Sequence, residues 1–179
     1  MVSLHIHLLR DKDMIALVKT GQDNGVPMRI INNVIDANIT RKHSMVQKIH
    51  DALGGNVRSK VIAVLGVAFK PDTDDMRESP AIDIIKGLQA CGAHIVAYDP
   101  QAMEQAEKLL PHVLFAEDAY DCVRNVNAVV IITEWDEFAR LDLNHIKELM
   151  INPVMVDLRN IYIPEEVREM GFEYTSIGR

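Results

Sequence analysis

Two basic side chains lie within one polar stretch, Gly66 to Ala81, where they could bind an anion. The stretch reads GVAFKPDTDDMRESPA, and its two cations are Lys70 and Arg77. A short apolar run, Val61–Leu65, precedes it, and a helical pattern, Ser79–Cys91, follows it. The first N–H groups of a helix lack partners within the helix, and the helix dipole favours negative charge at that end. A strand, a cationic loop and a helix N-terminus in this order predict an anion site.

Carboxylates accompany these cations, and a third cation follows a later strand pattern. The carboxylates are Asp72, Asp74, Asp75 and Glu78. They could fix the cations, accept hydrogen bonds from ligand hydroxyls, or form part of a solvated, self-neutralising surface loop. Arg159 follows the apolar run Pro153–Asp157 and should reach the same rim as Lys70, unless it only forms a salt bridge with a neighbour such as Asp157. Three cations on one rim of a chain with net charge −7 favour an anionic ligand.

From residue 56 onward, short apolar runs alternate with amphipathic stretches, as in β/α units with a parallel sheet. We predict an α/β fold, a Rossmann-like doubly wound parallel sheet of order 3-2-1-4-5-6, with its ligand crevice at the carboxyl ends of the strands. The predicted strands are Val61–Leu65, His94–Tyr98, Val113–Phe115, Ala128–Ile132, Pro153–Asp157 and Glu173–Ile177. The predicted helices in this part are Ser79–Cys91, Gln101–Leu110, Ala119–Val123, Leu143–Met150 and Pro164–Met170.

A long helix is predicted before the sheet, from Pro27 to Leu53, after a short helix, Arg10–Gln22. At about 1.5 Å per residue the long helix would extend roughly 40 Å, beyond a small domain. Its apolar stripe contains Ile31, Val34, Ile35, Asn38, Met45, Ile49 and Leu53. We expect a homodimer through this 27–53 helix; the alternative is a helix lying along its own domain. The predicted domains are a helical segment, residues 1–55, and the Rossmann-like domain, residues 56–179.

A dinucleotide fingerprint is missing at the first strand, where Gly66 is followed by Val-Ala-Phe-Lys instead of G-x-G-x-x-G. Asp99 ends the second strand and could bind a ribose or simply start the next helix. We therefore predict that the domain does not bind NAD across its own strand ends. Trp135 follows the central strand and could either pack at the domain edge or contact a ligand.

Composition excludes several classes of function. The net charge of −7 argues against nucleic-acid binding, and the sequence has no apolar run long enough to cross a membrane. Cys91 and Cys122 lack a metal-ligand spacing, so no metal site is predicted. Both are interpreted as buried free thiols, which suits a reducing, cytoplasmic location.

The stretch FKPDTDDMRESPA resembles the loop that opens the C-terminal domain of the UDP-glucose/GDP-mannose dehydrogenase family. DLRN and the ending MGFEYTSIGR resemble the family as well, so the resemblance covers nearly the whole chain from Arg10 onward. It implies that Phe69, Lys70 and Arg159 contact a UDP-sugar, and that Arg77 reaches NAD held by a separate N-terminal domain. It also implies a dimerisation role for the long helix. Family members oxidise the sugar 6-hydroxyl twice with two NAD, through a cysteine thiolate.

The front of the chain departs from the family, which has a Cys-Phe-Pro-Lys-Asp type motif before the helix. Lys12 and Asp13 match the end of that motif, but Leu9 stands at the cysteine position. The N-terminal NAD domain is absent from this sequence, so we expect a truncated product, a fragment or a misplaced start, inactive on its own. The alternatives are a catalytically silent nucleotide-sugar-binding or dimerisation module, and part of a sister enzyme for UDP-N-acetylmannosamine or GDP-mannose. Thr73 and Met76 favour UDP-glucose over these sugars.

Overall fold

The computed structural model describes residues 11–179, which divide into two compact units with the boundary between Ser44 and Met45. The first unit contains α1 (Asp11–Asp23) and the beginning of α2 (Arg29–Ala52), and the second unit begins within α2. Both helices were predicted, with ends that differ from the expected ones by one or two residues. The predictions made for Leu9 and Arg10 lie outside the described residues.

Within residues 45–179, six parallel strands form one sheet of order β3-β2-β1-β4-β5-β6, which confirms the predicted fold. The strands are β1 (Val61–Leu65), β2 (His94–Tyr98), β3 (Val113–Phe115), β4 (Ala128–Ile131), β5 (Val154–Asp157) and β6 (Glu173–Ser176). The helices of this unit are α3 (Pro80–Ala90), α4 (Met103–Leu109), α5 (Ala119–Cys122), α6 (Leu143–Leu149) and α7 (Pro164–Glu169), with a 3-10 turn at Phe138–Arg140. The chain reverses strand order between β1 and β4, where a doubly wound sheet opens its ligand crevice.

The centre of the sheet forms the hydrophobic core. Every residue of β4 and four of the five residues of β1 are buried. The two strands pair in parallel, with Val64 opposite Val130 and Leu65 opposite Ile131. A strand covered on both faces needs an unbroken apolar run rather than an alternating one. The sequence Val-Val-Ile of β4 therefore specifies a central strand.

The end of α2 packs into the core of the second unit. Ile49 is fully buried and Leu53 is 6% exposed, whereas Ile35, about four helical turns before Ile49, is only partly buried. An added Cβ on Gly87 of α3 would lie 2.8 Å from a methyl carbon of Val46, so the two helices approach closely there. This end of the apolar stripe needs no second copy of the chain, because the chain's own core covers it.

The two cysteines differ in environment. Cys122 is buried, and desolvation raises the pKa of its thiol to about 12. Cys91 is exposed, so the prediction that it is buried is wrong. It lies at the C-cap of α3, just past the residues whose apolar side chains face the sheet. In the described part of the chain, no helix is both long and apolar enough to span a membrane.

We expect Gly66→Ala to destabilise the second unit more than the matched control Gly54→Ala. Both glycines have left-handed backbones, with φ of +86° and +78°. A Cβ at Gly66 would lie 2.6 Å from Cβ of Thr133, whereas a Cβ at Gly54 meets nothing within 4 Å. Backbone strain of about 1–2 kcal/mol applies to both variants, and crowding adds about 1–3 kcal/mol at Gly66. Equal losses in urea unfolding would contradict the close approach of the two strand ends.

Candidate functional site

The turn that follows β1 is held from all sides by hydrogen bonds within the protein. The N–H groups of Val67 and Ala68 both donate to Oδ2 of Asp99, at 2.8 and 2.9 Å. The carbonyl of Val67 accepts from the Ser79 hydroxyl, and the carbonyl of Ala68 accepts from the Thr133 hydroxyl, each at 2.6 Å. The N–H and carbonyl groups of both Val67 and Ala68 are therefore already paired within the protein.

Asp99 is the organising carboxylate of this turn. It is 1% exposed, and its Oδ2 also accepts a hydrogen bond from the Trp135 indole at 3.1 Å. Its Oδ1 accepts from the backbone N–H groups of Gln101 and Ala102, ahead of α4. Of the two roles considered for Asp99, the structure therefore shows the helix-starting one. Trp135, 5% exposed, has the packing role.

The loop beyond this turn closes on itself and presents Lys70. The N–H of Phe69 donates to the carbonyl of Asp75 at 2.8 Å, and the N–H of Asp75 donates to the Thr73 hydroxyl at 3.1 Å. Met76, 3% exposed, anchors the loop in the core. Phe69 is partly buried and Lys70 is exposed, so the loop directs a cation to the solvent from a fixed base.

Arg77 is held by Asp75 through three hydrogen bonds. Its Nε and Nη2 donate to the two carboxylate oxygens of Asp75, and its backbone N–H donates to Oδ1, each at 2.9 Å. The hydrogen bonds that Arg77 donates to Asp75, together with the negative charge of Asp75, raise the pKa of Arg77. An exposed ion pair of this kind contributes little to stability, but a bidentate one fixes orientation. One of the expected roles of the loop carboxylates, fixing a cation, is thus observed for Arg77.

Arg159 follows β5 and is held by two acceptors at its Nε. This atom donates a hydrogen bond to the carbonyl of Ile132 and lies 3.0 Å from Oε2 of Glu134. The backbone N–H of Arg159 donates to Oδ1 of Asp157 at 2.9 Å. The alternative interpretation was a salt bridge with a neighbour such as Asp157; Arg159 does form an ion pair, but its partner is Glu134 and not Asp157. Within residues 11–179, no hydrogen bond from the terminal Nη atoms of Arg159 is recorded.

The topology brings these cations to one edge of the sheet. Lys70 and Arg77 lie in the connection after β1, and Arg159 follows β5, with β4 between the two strands. Neighbouring strands are about 4.8 Å apart, so the ends of β1 and β5 are separated by roughly 10 Å. Two long basic side chains can span this distance to the oxygens of one diphosphate.

Comparison with known proteins assigns the family. Residues 63–164 match the model of the UDP-glucose/GDP-mannose dehydrogenase family, UDP binding domain. The chain belongs to this family. It is 49% identical over 168 residues to the UDP-glucose 6-dehydrogenase of Rhizobium meliloti (strain 1021), which covers 94% of the chain and 38% of that protein. It is 39% identical over 169 residues to UDP-glucose 6-dehydrogenase TuaD of Bacillus subtilis (strain 168), covering 94% of the chain and 36% of that protein.

A solved UDP-glucose dehydrogenase from Pyrobaculum islandicum superposes with a TM-score of 0.78 at 32% identity. The superposition covers 92% of this chain and 36% of the archaeal one. The resemblance read from FKPDTDDMRESPA is thereby confirmed. The chain spans 38% or less of the length of these relatives and corresponds to their UDP-binding C-terminal domain.

Three contacts in this family domain were not predicted from the sequence. We call the three residues that follow β4 and its last apolar residue, Thr133, Glu134 and Trp135, the strand-end triplet. They contact Ala68, Arg159 and Asp99, which follow β1, β5 and β2, respectively. The only signal in the sequence was the position of the triplet directly after a buried central strand. The pairing of Glu134 with Arg159 could not be inferred, because Asp157 is the closer carboxylate in sequence.

Other candidate positions lie apart from the cations. Asp13 is exposed on α1, and neither Leu9 nor the side chain of Lys12 is among the described parts of the chain. A cavity of about 560 Å³ lies between the connections that follow β3 and β4. It is lined by Asp118, Ala119, Tyr120, Glu137, Arg140 and Leu141. Its lining combines two carboxylates, those of Asp118 and Glu137, with the guanidinium of Arg140. Residues 11–179 contain no group of three or more His, Cys, Asp or Glu side chains that could hold a metal ion.

We expect Asp99→Asn to lower the free energy of unfolding by about 2–4 kcal/mol. An asparagine has one acceptor oxygen, and its NH2 group would face N–H donors that the carboxylate now satisfies. The matched control is Asp142→Asn at the exposed N-cap of α6, where Asp142 accepts from Asn144 and His145. Asparagine is as good an N-cap as aspartate, so that change should stay within about 0.5 kcal/mol. Urea unfolding tests both, and an Asp99→Asn variant as stable as the control would refute the role of Asp99.

Proposed function

We propose that the crevice after β1 and β5 binds the diphosphate of a UDP-sugar, as the substrate-binding part of a UDP-glucose 6-dehydrogenase. The observation that carries this proposal is the state of Arg159. Its Nε is fixed by Ile132 and Glu134, and its terminal nitrogens make no recorded hydrogen bond within residues 11–179. An arginine with its terminal edge uncommitted offers parallel N–H donors of the geometry that binds phosphate oxygens.

Lys70 complements Arg159 as a point charge on the other side of β4. Its ammonium is on an exposed residue of a closed loop, whereas the Arg159 side chain is 32% exposed. A diphosphate between them would replace two solvated cations by charge-assisted hydrogen bonds, each about twice as strong as a neutral one. Phe69, beside Lys70 and partly buried, is proposed to contact the nucleotide sugar, as the family resemblance implies.

NAD is proposed to be held by a separate domain and not by this crevice. In dinucleotide-binding folds the N–H groups of the first turn approach the pyrophosphate. Here those of Val67 and Ala68 are both committed to the buried carboxylate of Asp99. A pyrophosphate at this turn would also meet the charge of Asp99. Arg77 is proposed to contact the NAD of the separate domain, because its exposed side chain leaves the loop next to α3.

The overall reaction proposed for the complete enzyme converts UDP-glucose and two NAD into UDP-glucuronate. Each oxidation needs a nicotinamide beside the sugar carbon, and the second needs a thiolate. Cys122 is buried with its pKa raised to about 12, which makes it a poor nucleophile. The role proposed for this chain is therefore to bind and orient the nucleotide sugar. Hydride transfer is assigned to residues that other parts of the enzyme supply.

We expect the purified chain to bind UDP and UDP-glucose, but not NAD. Calorimetric titration should give affinities for UDP that fall about tenfold or more in Lys70→Ala and in Arg159→Gln, because each variant loses a charge-assisted contact. Lys108→Ala is the matched control, since Lys108 is an exposed cation that pairs with Glu104 on α4. A parallel titration with GDP-mannose tests whether the site distinguishes the uracil base from guanine. Saturable NAD binding without a UDP response, or UDP binding unaffected by both crevice variants, would refute the proposal.

The helical segment, residues 1–55, is proposed to form a homodimer through α2. Ile31, Val34 and Ile35 are only partly buried, and Ile30 and Ile39 are 81% and 47% exposed. A second copy that packs on this surface would bury it in a two-fold arrangement.

We expect Ile35→Asp to raise the dissociation constant of the dimer by roughly 10²–10⁴-fold. Each buried isoleucine contributes about 1.5–3 kcal/mol, and two-fold symmetry counts the change twice. Ala37→Asp, at an exposed position of the same helix, is the matched control and should leave the dimer intact. Light scattering measures the molar mass of both variants and thereby shows whether each one dimerises. A folded wild-type chain that remains monomeric at high concentration would overturn the dimer.

A further inference from the structure

We propose that Glu134 is a positioning residue that holds the guanidinium of Arg159 in the orientation that receives the diphosphate. The inference rests on the proposed function, because it assigns a role within the same crevice. The sequence did not predict any contact between Glu134 and the three cations. The basis of the inference is the geometry at a single nitrogen atom, Nε of Arg159.

Nε of arginine carries one hydrogen, and two acceptors lie beside it. The hydrogen bond goes to the carbonyl of Ile132. Oε2 of Glu134 lies 3.0 Å from the same nitrogen but makes no hydrogen bond, although that oxygen is buried. A buried carboxylate oxygen without a donor is unfavourable unless a charge compensates it. The positive charge of Arg159 compensates Glu134 here, and Glu134 in turn keeps the guanidinium in place.

The pair fixes which edge of the guanidinium faces the crevice. Ile132 and Glu134 occupy the Nε side of the planar group. The terminal nitrogens are on the other side of Cζ by covalent geometry, so they remain for a ligand. An arginine that is already ordered loses less side-chain entropy when it binds phosphate, which is worth about 2- to 12-fold in affinity.

Glu134 can act as a fixed reference because both of its neighbours are tied down. The Thr133 hydroxyl donates to the carbonyl of Ala68 at 2.6 Å, and the Trp135 indole donates to Asp99 at 3.1 Å. The backbone of Glu134 is thus pinned to the connection after β1 on one side and to the end of β2 on the other. Through its ion pair, the carboxylate of Glu134 restrains the side chain of Arg159, which follows β5.

The charge of Glu134 also acts on the ligand, and the experiment must separate this effect from positioning. A carboxylate near the crevice repels a diphosphate, so Glu134→Gln would remove repulsion and positioning together. Glu134→Asp keeps the charge but withdraws the carboxylate by one methylene, about 1.5 Å, from Nε of Arg159. This variant therefore isolates the effect of the contact.

The test is a double-mutant cycle with UDP as the titrant and the full chain as the protein. We expect Glu134→Asp to weaken UDP binding about 3- to 10-fold. The same change in the Arg159→Gln background should alter the affinity less than about twofold, because the group that Glu134 positions is no longer there. Glu137→Asp is the matched control: it shortens a carboxylate in the same connection, one that lines the separate cavity. It should leave UDP binding unchanged.

Thermal unfolding of each variant verifies that it is folded. Should Arg159→Gln fail to fold, because Oε2 of Glu134 loses its compensating charge, Arg159→Lys replaces it in the cycle. Lysine restores a charge without a planar fork, so the effect of Glu134→Asp should again shrink below about twofold.

The outcomes separate the two proposals. If Lys70→Ala and Arg159→Gln both leave UDP binding intact, the proposed crevice is wrong. If Arg159→Gln weakens binding while Glu134→Asp does not, the crevice stands and the positioning role of Glu134 is overturned. An equal loss from Glu134→Asp with and without Arg159 also overturns it, because Glu134 would then act by another route.

Discussion

The architecture of the crevice depends on the carboxylate of Asp99. In the described part of the chain it accepts five hydrogen bonds, from the N–H groups of Val67, Ala68, Gln101 and Ala102 and from the Trp135 indole. These donors come from the connections after three neighbouring strands, β1, β2 and β4. A buried carboxylate is stable only when its charge is compensated by such donors. Asp99 thereby joins the ends of β1, β2 and β4, and it explains why the turn after β1 can be tight without further glycines.

The same carboxylate changes what a doubly wound sheet can bind. Where such a sheet binds a dinucleotide, backbone N–H groups at the first turn receive the pyrophosphate of the ligand. In this chain Asp99 is the resident anion at those groups, so the fold keeps its shape without a ligand there. In the proposed function, recognition of an anion therefore comes from side chains, which the three cations Lys70, Arg77 and Arg159 would supply. Because side-chain positions are less fixed than backbone ones, each cation needs its own restraint: a closed loop for Lys70, Asp75 for Arg77 and Glu134 for Arg159.

Local sequence patterns were sufficient to predict the helices and strands, but they predicted the candidate site only in part. All six strands were predicted within a residue of their bounds, because apolar runs end at glycine, proline and charged residues that cannot continue them. The position of Arg159 at a strand end followed from the same pattern. Its partner did not, since the choice between Asp157 and Glu134 depends on which side chain the next strand brings near Nε. The exposure of Cys91 and the burial of Ile49 in the chain's own core could not be predicted either. Hydrophobic periodicity indicates which face of a helix is apolar, but not which residues of that face the rest of the protein covers.

The two arginines are restrained by different carboxylates, and we propose different roles for them. Arg77 donates from Nε and Nη2 to the two oxygens of Asp75, and its remaining N–H donors are the two of Nη1 and the second of Nη2. Arg159 spends only Nε, so both terminal nitrogens remain. In the proposed function, a diphosphate would accept two parallel hydrogen bonds from the terminal nitrogens of Arg159 without displacing Ile132 or Glu134. Arg77 keeps two such donors as well, so the exposure of the two side chains, and not the number of donors, separates them. In the proposed function, Arg159, whose side chain is 32% exposed, is the anchor within the crevice, whereas the 71% exposed side chain of Arg77 is placed for an anion presented from outside, such as the cofactor of a neighbouring domain.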